Sequence, residues 1–268
     1  MATAKARSGR HLSWWQFIVV AVAYLAIIKV GGLIFGSGIS GEDGFRTAHD
    51  LLRLTLIPVA ISAVFAIAVA SWLGWWPEIV RDGKPVQGWL RIVPIGLLLA
   101  AAVGTSWGNL FDQKTGLVVL FVLLVLIVGF TEELMFRGIG VVAFRRGGFP
   151  EAKVALYTSI LFGAAHLSNA ISDGPKALLQ ALLVSLSGYF FYLTKRWAGV
   201  IWVAMLVHSS QDFVLISGQV GVDSAMSAAA VLVPLTMVFL AVQIWRRRDR
   251  IEPEREAAPP SPATAPPA

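Results

Sequence analysis

The sequence predicts an all-α, polytopic membrane helix bundle with about eight transmembrane helices and both termini in the cytoplasm. Composition, long apolar runs and the placement of basic residues lead to this prediction. Of the 268 residues, 56% are hydrophobic and 14% are charged, and the mean hydropathy is +0.71. Soluble domains carry about 25% charged residues. Water-soluble enzymes and nucleic-acid-binding proteins are therefore poor interpretations of this chain.

Eight apolar segments can be counted along the chain. They are Trp14 to Phe35, Leu51 to Leu73, Leu90 to Thr105, Leu117 to about Phe144, Val154 to Leu167, Ala177 to Leu193, Val200 to Ile216 and Ala225 to Trp245. Because backbone polar groups in lipid must be satisfied within each segment, we expect every one to be a helix. The first segment is too long for the apolar region of a cleaved signal peptide, so it counts as a span.

Basic residues alternate between the loops and predict the orientation. One side holds Lys5, Arg7, Arg10, Arg81, Lys84, Arg91, Arg145, Arg146, Lys195, Arg196, Arg246, Arg247, Arg248 and Arg250. The other holds Arg46, Arg53, Lys114 and Lys176. The positive-inside rule then places both termini in the cytoplasm of a cell-membrane protein. The net charge of +6 reflects this topology, so no nucleic-acid partner is expected.

The predicted organisation has three parts. Residues 1–13 form a basic cytoplasmic N-terminus, and residues 14–245 form the transmembrane domain. Residues 246–268 are basic at first and then rich in proline and alanine, a composition typical of a disordered tail. The chain has no cysteine, which excludes a cysteine nucleophile, a disulfide framework and a thiolate metal site.

Ionisable residues within the spans are the candidate functional residues, because charges are costly in a bilayer. Lys29 lies near the predicted outer end of the first span and is interpreted as a snorkelling residue. The others occur in the stretches TEELMFR, LFGAAH and HSSQD. They are Glu132, Glu133, Arg137, His166, His208 and Asp212.

Three of these residues are predicted to lie at one depth. Glu132 is 13 residues from Arg145, His166 is 13 from Lys153, and His208 is 12 from Arg196. At about 1.5 Å per residue, each lies roughly 18 to 20 Å from the basic border of its span. An acid and two imidazoles from three helices are thus expected to meet.

Helical spacing then assigns the faces. Glu133 and Arg137 are four residues apart and suit a structural ion pair, which leaves Glu132 facing a cavity. His208 and Asp212, with the same spacing, share a face. Phe162, one turn before His166, is expected to wall the site or hold the imidazole ring.

The sequence can be compared with the zinc, serine and aspartyl active sites of known intramembrane proteases. No HExxH zinc motif is present, Ser37 in GSGIS has no histidine partner at its depth, and Asp212 is the sole aspartate within a predicted span. A glutamate and histidine site acting through water is what remains.

The three stretches resemble the motifs of the CPBP family, which includes the CaaX prenyl endopeptidases and the bacterial Abi-type proteins. EELMFR matches EExxxR, FGAAH matches FxxxH, and HSSQD matches Hxxx(N/D), in family order within residues 131–213. The resemblance implies an intramembrane endopeptidase in which Glu132 and His166 activate a water while His208 and Asp212 stabilise the oxyanion. Asp212 stands where the prenyl endopeptidases usually have asparagine, so its role is open.

Two alternatives accompany this hypothesis. Glu132, His166, His208 and Asp212 offer nitrogen and oxygen ligands for a divalent metal such as zinc, although the metal-free glutamate mechanism is favoured and no cofactor is expected. The same buried residues would also suit a non-proteolytic immunity or regulatory protein, or a proton-coupled carrier. The expected partners are the lipid bilayer and a membrane protein or lipidated peptide substrate, and the oligomeric state is left open.

Overall fold

The structure, a computed structural model, describes residues 10–40, 44–167, 176–222 and 227–253. Within these ranges the chain is helical, and its one extended pairing is an isolated bridge between Arg81 and Val200. Most of the predicted basic N-terminus (residues 1–9) and most of the predicted disordered tail (residues 254–268) lie outside the described residues.

Eight long helices occupy the described ranges. They are α1 (Trp14–Phe35), α2 (Ala48–Leu73), α3 (Gly88–Gly104), α4 (Thr115–Arg146), α5 (Glu151–His166), α6 (Lys176–Ala198), α7 (Ile201–Ile216) and α8 (Ala229–Arg246). Each predicted apolar segment falls on one of them, except that Ala225 and Met226, at the start of the eighth segment, lie outside the described residues. The shorter helices Trp76–Val80 and Trp107–Asp112 connect α2 to α3 and α3 to α4, and a 3₁₀ turn, Arg248–Arg250, follows α8.

Five of the eight helices, namely α1, α2, α4, α6 and α8, are long and apolar enough to cross a membrane. Two more, α3 and α7, are apolar but shorter. The all-helical, multi-pass part of the prediction is therefore confirmed, while the number eight and the side on which the termini lie stay predictions. With 32 residues, α4 is about 48 Å long at 1.5 Å per residue.

The outer surface of the bundle carries large apolar side chains that a water-soluble protein would bury. Leu33, Phe111 and Leu182 are 77%, 81% and 70% exposed. Patches of this kind are costly in water and favourable against lipid chains.

Local sequence signals explain several helix ends. At the start of α1, the Ser13 side chain accepts a hydrogen bond from the Gln16 N–H, and the Gln16 side chain accepts one from the Ser13 N–H. This reciprocal capping satisfies two N–H groups that a helix start leaves unpaired. At the end of α2, Gly74 adopts a φ of 69°, a left-handed conformation that favours glycine.

The long helix α4 lies at the centre of the bundle. It packs against α7 and α2, while α5 pairs with α6, α3 with α8, and α1 with α2. Helix α6 also packs against α7, and both helices contact the second half of α4. The three motif stretches, on α4, α5 and α7, are thereby brought together.

The predicted basic loops also meet at one end of the bundle, here called the basic end. The Arg10 N–H donates to the Leu73 carbonyl, and Arg146 pairs with Glu78. Arg196 donates to the Lys84 carbonyl, and the Trp89 indole donates to the Arg250 carbonyl. The loops that the positive-inside rule assigns to one side of the membrane are thus in contact.

Candidate active site

The two adjacent glutamates end the α-helical part of α4. After Glu133, the segment Leu134–Gly140 is π-helical before α-helical geometry resumes at Val141. Such π-helical segments widen one turn and are frequent at functional sites. Because this segment contains Arg137, it sets how Arg137 faces Glu133, which the motif spacing alone does not determine.

Glu133 and Arg137 form the predicted ion pair and are fully buried. Arg137 Nη1 lies 3.2 Å from Glu133 Oε1. His208 from α7 reaches the same oxygen, and its Nδ1–H donates to Glu133 Oε1 over 2.9 Å. Glu133, interpreted from the sequence as a structural partner of Arg137, therefore also orients His208.

Aromatic rings and a glycine enclose the Arg137 guanidinium. Its Cζ lies 4.0 Å from the centroid of the Phe162 ring, and its Nε–H donates to the Gly188 carbonyl over 3.3 Å. A Cβ atom at Gly188 would lie 2.5 Å from Arg137 Nη2 and 3.0 Å from Phe162. Glycine at position 188 is thus required for α6 to approach the guanidinium this closely.

His208 is in contact with three carboxylates. Besides Glu133 at Nδ1, its Nε2 lies 3.6 Å from Glu132 Oε2 and 3.5 Å from Asp212 Oδ2. The Phe191 ring stacks on the imidazole with centroids 4.6 Å apart and an interplanar angle of 15°. The ring is therefore fixed in position, with Nε2 directed toward Glu132 and Asp212.

A close approach of α4 and α7 makes these contacts possible. A Cβ atom at Gly129 would lie 2.3 Å from Ser209 Oγ and 2.8 Å from the Met205 carbonyl oxygen. Gly129 lies one turn before Glu133, and Ser209 follows His208. The absence of a side chain at position 129 allows the glutamates and the imidazole to meet.

His166 on α5 is held by its own helix. Its Nδ1–H donates to the Phe162 carbonyl over 3.0 Å, and the two rings form an edge-to-face pair with centroids 5.2 Å apart. In the neutral imidazole, this bond leaves the lone pair on Nε2. Phe162 thus holds the ring, as the one-turn spacing predicts.

Glu132 and His166 line one cavity of about 160 Å³. The rest of its wall comes from Phe136 on α4, Ala165 on α5, and Tyr24, Leu25, Ile28 and Lys29 on α1. His208, Glu133 and Arg137 are buried and, like Asp212, do not line this cavity, but His208 Nε2 lies 3.6 Å from the Glu132 carboxylate in its wall. The structure places the two acids as the helical spacing predicts, with Glu132 facing a cavity and Glu133 turned away from it.

The first helix contributes residues that sequence analysis missed. Tyr24 was given no role, and Lys29 was interpreted as a snorkelling residue, yet both lie on the cavity wall. The signal was present, because Lys29 is 15 residues from Trp14 and lies about 22 Å along α1. This is close to the depth estimated for Glu132.

A larger cavity of about 350 Å³ lies between α3, α4 and α7 and has no ionisable side chain on its wall. The Thr105 and Ser209 hydroxyls in this wall donate to the carbonyls of Ala101 and Met205, in their own helices. Its lining offers no acid or base for chemistry, so the smaller cavity is the candidate active site.

Metal binding depends on the arrangement of the donors. Glu132, His166, His208 and Asp212 provide oxygen and nitrogen atoms that zinc accepts. In the part of the chain that the structure describes, however, no group of three or more such residues is arranged to hold an ion. His208 Nδ1 is engaged by Glu133, and His166 Nδ1 by Phe162. Hydrogen bonds of this kind at Nδ1 are usual for metal-binding histidines and leave both Nε2 atoms as donors, so the metal alternative is left to the chelation experiment.

Residues 114–214 match a family model described as type II CAAX prenyl endopeptidase Rce1-like. This range begins just before α4 and ends within α7, so it contains all three motifs and every residue of the candidate site except those on α1. The resemblance to the family that includes the CaaX prenyl endopeptidases is therefore confirmed over this part of the chain. Among curated proteins, none matches this chain.

Proposed function

We propose that this chain is an intramembrane endopeptidase that hydrolyses a peptide bond of a membrane-associated protein or lipidated peptide with a water activated by Glu132 and His166. The family match over residues 114–214 supports the class of reaction. The observation that carries the mechanism is that Glu132 and His166, from different helices, line the same cavity. A cell-membrane location of the enzyme is part of the proposal.

Glu132 is the proposed general base. A water in the cavity donates one proton to the Glu132 carboxylate while its oxygen attacks the peptide carbonyl carbon. His166 Nε2, whose lone pair is kept available by the bond from Nδ1–H to Phe162, accepts a hydrogen bond from the same water and orients it. Glu132 then delivers its proton to the departing amine, so the carboxylate is regenerated when the C–N bond breaks.

His208 and Asp212 are the proposed stabilisers of the tetrahedral oxyanion. Glu133 fixes the His208 ring through Nδ1, and a protonated Nε2, 3.6 Å from the Glu132 carboxylate in the cavity wall, would donate toward the position where negative charge develops once substrate is bound. Asp212 lies 3.5 Å from that nitrogen and serves either to orient His208 or, when protonated, as a second donor. Loss of one donor in an oxyanion site costs about 2.7 to 4 kcal/mol.

Glu132→Gln is the variant that tests the mechanism, because glutamine keeps the shape but cannot accept the proton. We expect wild type in mild detergent to cleave members of a membrane-peptide library, and Glu132→Gln to cleave them about 100- to 10,000-fold more slowly, the usual contribution of a general base. The matched control is Glu252→Gln, since Glu252 is 59% exposed and lies at the basic end. Wild-type rates in Glu132→Gln would sink the proposal.

Chelation tests the remaining choice of mechanism. The same cleavage assay is run before and after dialysis against a chelator, with metal content measured in both samples. Chelator-resistant cleavage that depends on Glu132 is the expected result. Loss of cleavage on dialysis and its return with zinc would replace the glutamate mechanism by a metal-dependent one. A well-folded wild type that cleaves no library member would favour the binding or carrier role over catalysis.

A further inference from the structure

We propose that the outer face of α8 and the basic turn after it bind an anionic phospholipid, with the headgroup phosphate on a row of arginines and the acyl chains along a row of apolar side chains. The two rows together are here called the lipid-binding surface. Neither row lines the candidate active site. The inference therefore goes beyond the proposed function and does not depend on it.

The apolar row follows one face of α8. Its members are large, exposed side chains at intervals of three and four residues, so they lie one above another along the helix. They are Val231, Leu235, Val238, Val242 and Trp245. The row is about 21 Å long at 1.5 Å per residue. One leaflet contributes about 15 Å to the hydrocarbon core, so an acyl chain fits along the row.

The opposite face of α8 faces the bundle. Val233, Met237, Leu240 and Ile244 are buried in the main hydrophobic core. Helix α8 packs against α3 through this side, so its rotation is fixed and the apolar row is turned outward. The apolar row is therefore the side of α8 that meets the acyl chains of the bilayer.

The row of arginines begins where the apolar row ends, at the basic end of the bundle. All five arginines of the row are exposed, and they lie at and after the end of α8 and in the first turn of α3. They are Arg246, Arg247, Arg248, Arg250 and Arg91. One acid, Asp249, lies within the run and is also exposed. The row thus has a strong excess of positive charge directly beside Trp245.

Tryptophan rings hold two of these arginines in place. Arg247 Cζ lies 5.4 Å from the centroid of the Trp89 ring, and Arg248 Cζ lies 4.8 Å from that of Trp245. The Trp89 indole also donates to the Arg250 carbonyl, which ties the turn after α8 to the start of α3. A basic residue that only orients a span needs no fixed position. Guanidinium groups held beside interfacial rings are suited to binding phosphate.

Elsewhere at the basic end, acids of the protein itself neutralise the cations. Arg145 pairs with Glu151, and Arg146 pairs with Glu78. The five arginines of the lipid-binding surface differ, because no ion pair joins any of them to an acid of the described ranges. Their charge is therefore available to an external anion, and lipid phosphates are the anions concentrated at a membrane border.

The two rows together identify a phospholipid as the occupant. A soluble anion would use the arginines and leave the apolar row unused. A second copy of the chain, packed on α8 in the same orientation, would bring the two rows of arginines together, and such juxtaposition of like charges is costly. A phospholipid carries a phosphate followed by acyl chains, in the order in which the surface presents arginines followed by apolar side chains.

Lipid binding to the full-length protein in mild detergent tests the inference. Phosphatidylglycerol is titrated into delipidated protein, and phosphatidylcholine with the same acyl chains is the zwitterionic reference. Native mass spectrometry counts bound lipids and gives the dissociation constants, and it also reports whether the protein is monomeric or dimeric. Inorganic phosphate and glycerol phosphate are added as competitors, since they carry the anionic group without acyl chains.

We expect phosphatidylglycerol to bind about tenfold more tightly than phosphatidylcholine, with a smaller preference at high salt because the arginines are exposed. A variant with Arg246→Gln, Arg247→Gln and Arg248→Gln should lose most of the preference. The same three positions changed to lysine should keep part of it, because lysine retains the charge but not the forked donor geometry.

A matched control removes three exposed cations from other parts of the basic end. This variant, with Arg10→Gln, Arg81→Gln and Lys153→Gln, should keep the full preference. Equal binding of the two lipids by wild type, or a preference that survives the three glutamines, would overturn the inference. If the glutamine variant does not fold, a preference unchanged by both high salt and the three lysines would do so instead.

Two further outcomes would assign the surface to a different occupant and also overturn the inference. Displacement of phosphatidylglycerol by equal concentrations of inorganic phosphate or glycerol phosphate would identify a site for a soluble anion. A wild-type dimer that becomes monomeric when Val238→Ser and Val242→Ser are introduced would show that a second copy covers the apolar row.

Discussion

Two groups of charged residues lie along α4, and they are built differently. The central cluster consists of Glu132, Glu133, Arg137, His208 and Asp212, in the second half of the helix. The end cluster consists of Asp82, Lys84, Arg145, Glu151 and Lys195, at the basic end. Both clusters are largely buried and both join residues distant in sequence. They differ in how completely their polar groups are hydrogen bonded.

In the end cluster each acid has several donors. Arg145 donates through Nε to Glu151 over 3.0 Å and through Nη1 to Asp82 over 3.1 Å. Lys84 and the Tyr192 hydroxyl also contact Glu151. Satisfied networks of this kind stabilise a fold and hold loops in place. The end cluster thus fastens the loop after Trp76–Val80 to the end of α4, the start of α5 and the end of α6.

In the central cluster, polar atoms remain unsatisfied. Three carboxylates surround the His208 imidazole, and Glu133 Oε2, Arg137 Nη1 and Arg137 Nη2 are buried without a hydrogen-bond partner of good geometry. Such groups are rare in folded proteins, where they often mark functional sites. The end cluster therefore holds loops in place, whereas the central cluster keeps buried polar groups unpaired beside the proposed catalytic residues. The predictions below are ordered by the size of their effects.

The largest effect is expected for Arg137→Met, which leaves Glu133 buried without its cation. Removing one partner of a buried ion pair costs about 3 to 5 kcal/mol. Denaturant titration of the detergent-solubilised protein measures the loss of unfolding free energy. Adding Glu133→Gln should recover part of the loss, because the uncompensated charge disappears. A double variant no more stable than Arg137→Met would show that the pairing with Glu133 is not the cause.

A steric change in the central cluster comes next. Gly188→Ala would place a Cβ atom 2.5 Å from Arg137 Nη2, so the guanidinium must move and with it the support of Glu133 and His208. Overpacking of this kind costs about 1 to 3 kcal/mol. We expect slower cleavage by folded protein at saturating substrate. The matched control is Gly96→Ala, whose new Cβ would meet Leu240 at an ordinary 3.4 Å.

Lys195 joins the two clusters and tests how separate they are. Its Nζ donates to the Arg137 carbonyl over 2.7 Å and lies 4.0 Å from Asp82 Oδ2. Lys195→Met should lower the unfolding free energy by about 1 to 3 kcal/mol, the cost of an unsatisfied buried carbonyl. If cleavage per folded molecule falls as steeply as in Gly188→Ala, the two clusters act as one unit.

The end cluster should also give a pH signature. Burial raises the pKa of Glu151, but hydrogen bonds from Arg145, Lys84 and Tyr192 outweigh it and lower the pKa from 4.5 to about 2. A lowered folded-state pKa stabilises the protein above pH 4.5, and this contribution is lost as the pH falls toward 2.

Thermal unfolding of wild type and Glu151→Gln across this range measures the effect. Wild type should be the more stable protein at pH 7, and its advantage should shrink below pH 4.5. A constant difference in stability between the two proteins from pH 7 to pH 3 would contradict the assignment of this stability to the Glu151 charge.

The smallest effect is expected at the rim of the basic end. Arg196 binds Glu252 through two hydrogen bonds of 2.7 and 2.8 Å, but Glu252 is largely exposed. Arg196 is buried and also donates to the Lys84 and Pro85 carbonyls, and water can replace the exposed carboxylate, so we expect this pair to contribute about 0 to 1 kcal/mol, as exposed pairs do, and to be screened by salt. Glu252→Gln should therefore shift stability slightly in low salt and hardly at all in high salt. A loss of unfolding free energy as large as that of Lys195→Met would show that this pair stabilises the fold as strongly as the end cluster does.

Much of the architecture was determined by the sequence alone. The bounds of α1, Trp14–Phe35, coincide with the predicted segment, because lipid forces an apolar run to form its own backbone hydrogen bonds. The same constraint makes intramembrane charges rare, so Glu132, His166 and His208 could be singled out and placed at one depth by counting residues.

Tertiary structure alone decided how the helices are rotated and how closely they approach. Glu133 and His208 are 75 residues apart, and Arg137 and Gly188 are 51 apart. These side chains meet only if each helix is rotated correctly about its own axis. The π-helical segment and the close contacts at Gly129 and Gly188 set that rotation. The side on which Lys29 points is decided in the same way. Hydropathy measures depth in the membrane, whereas the direction of a side chain around its helix is set by the neighbours against which it packs.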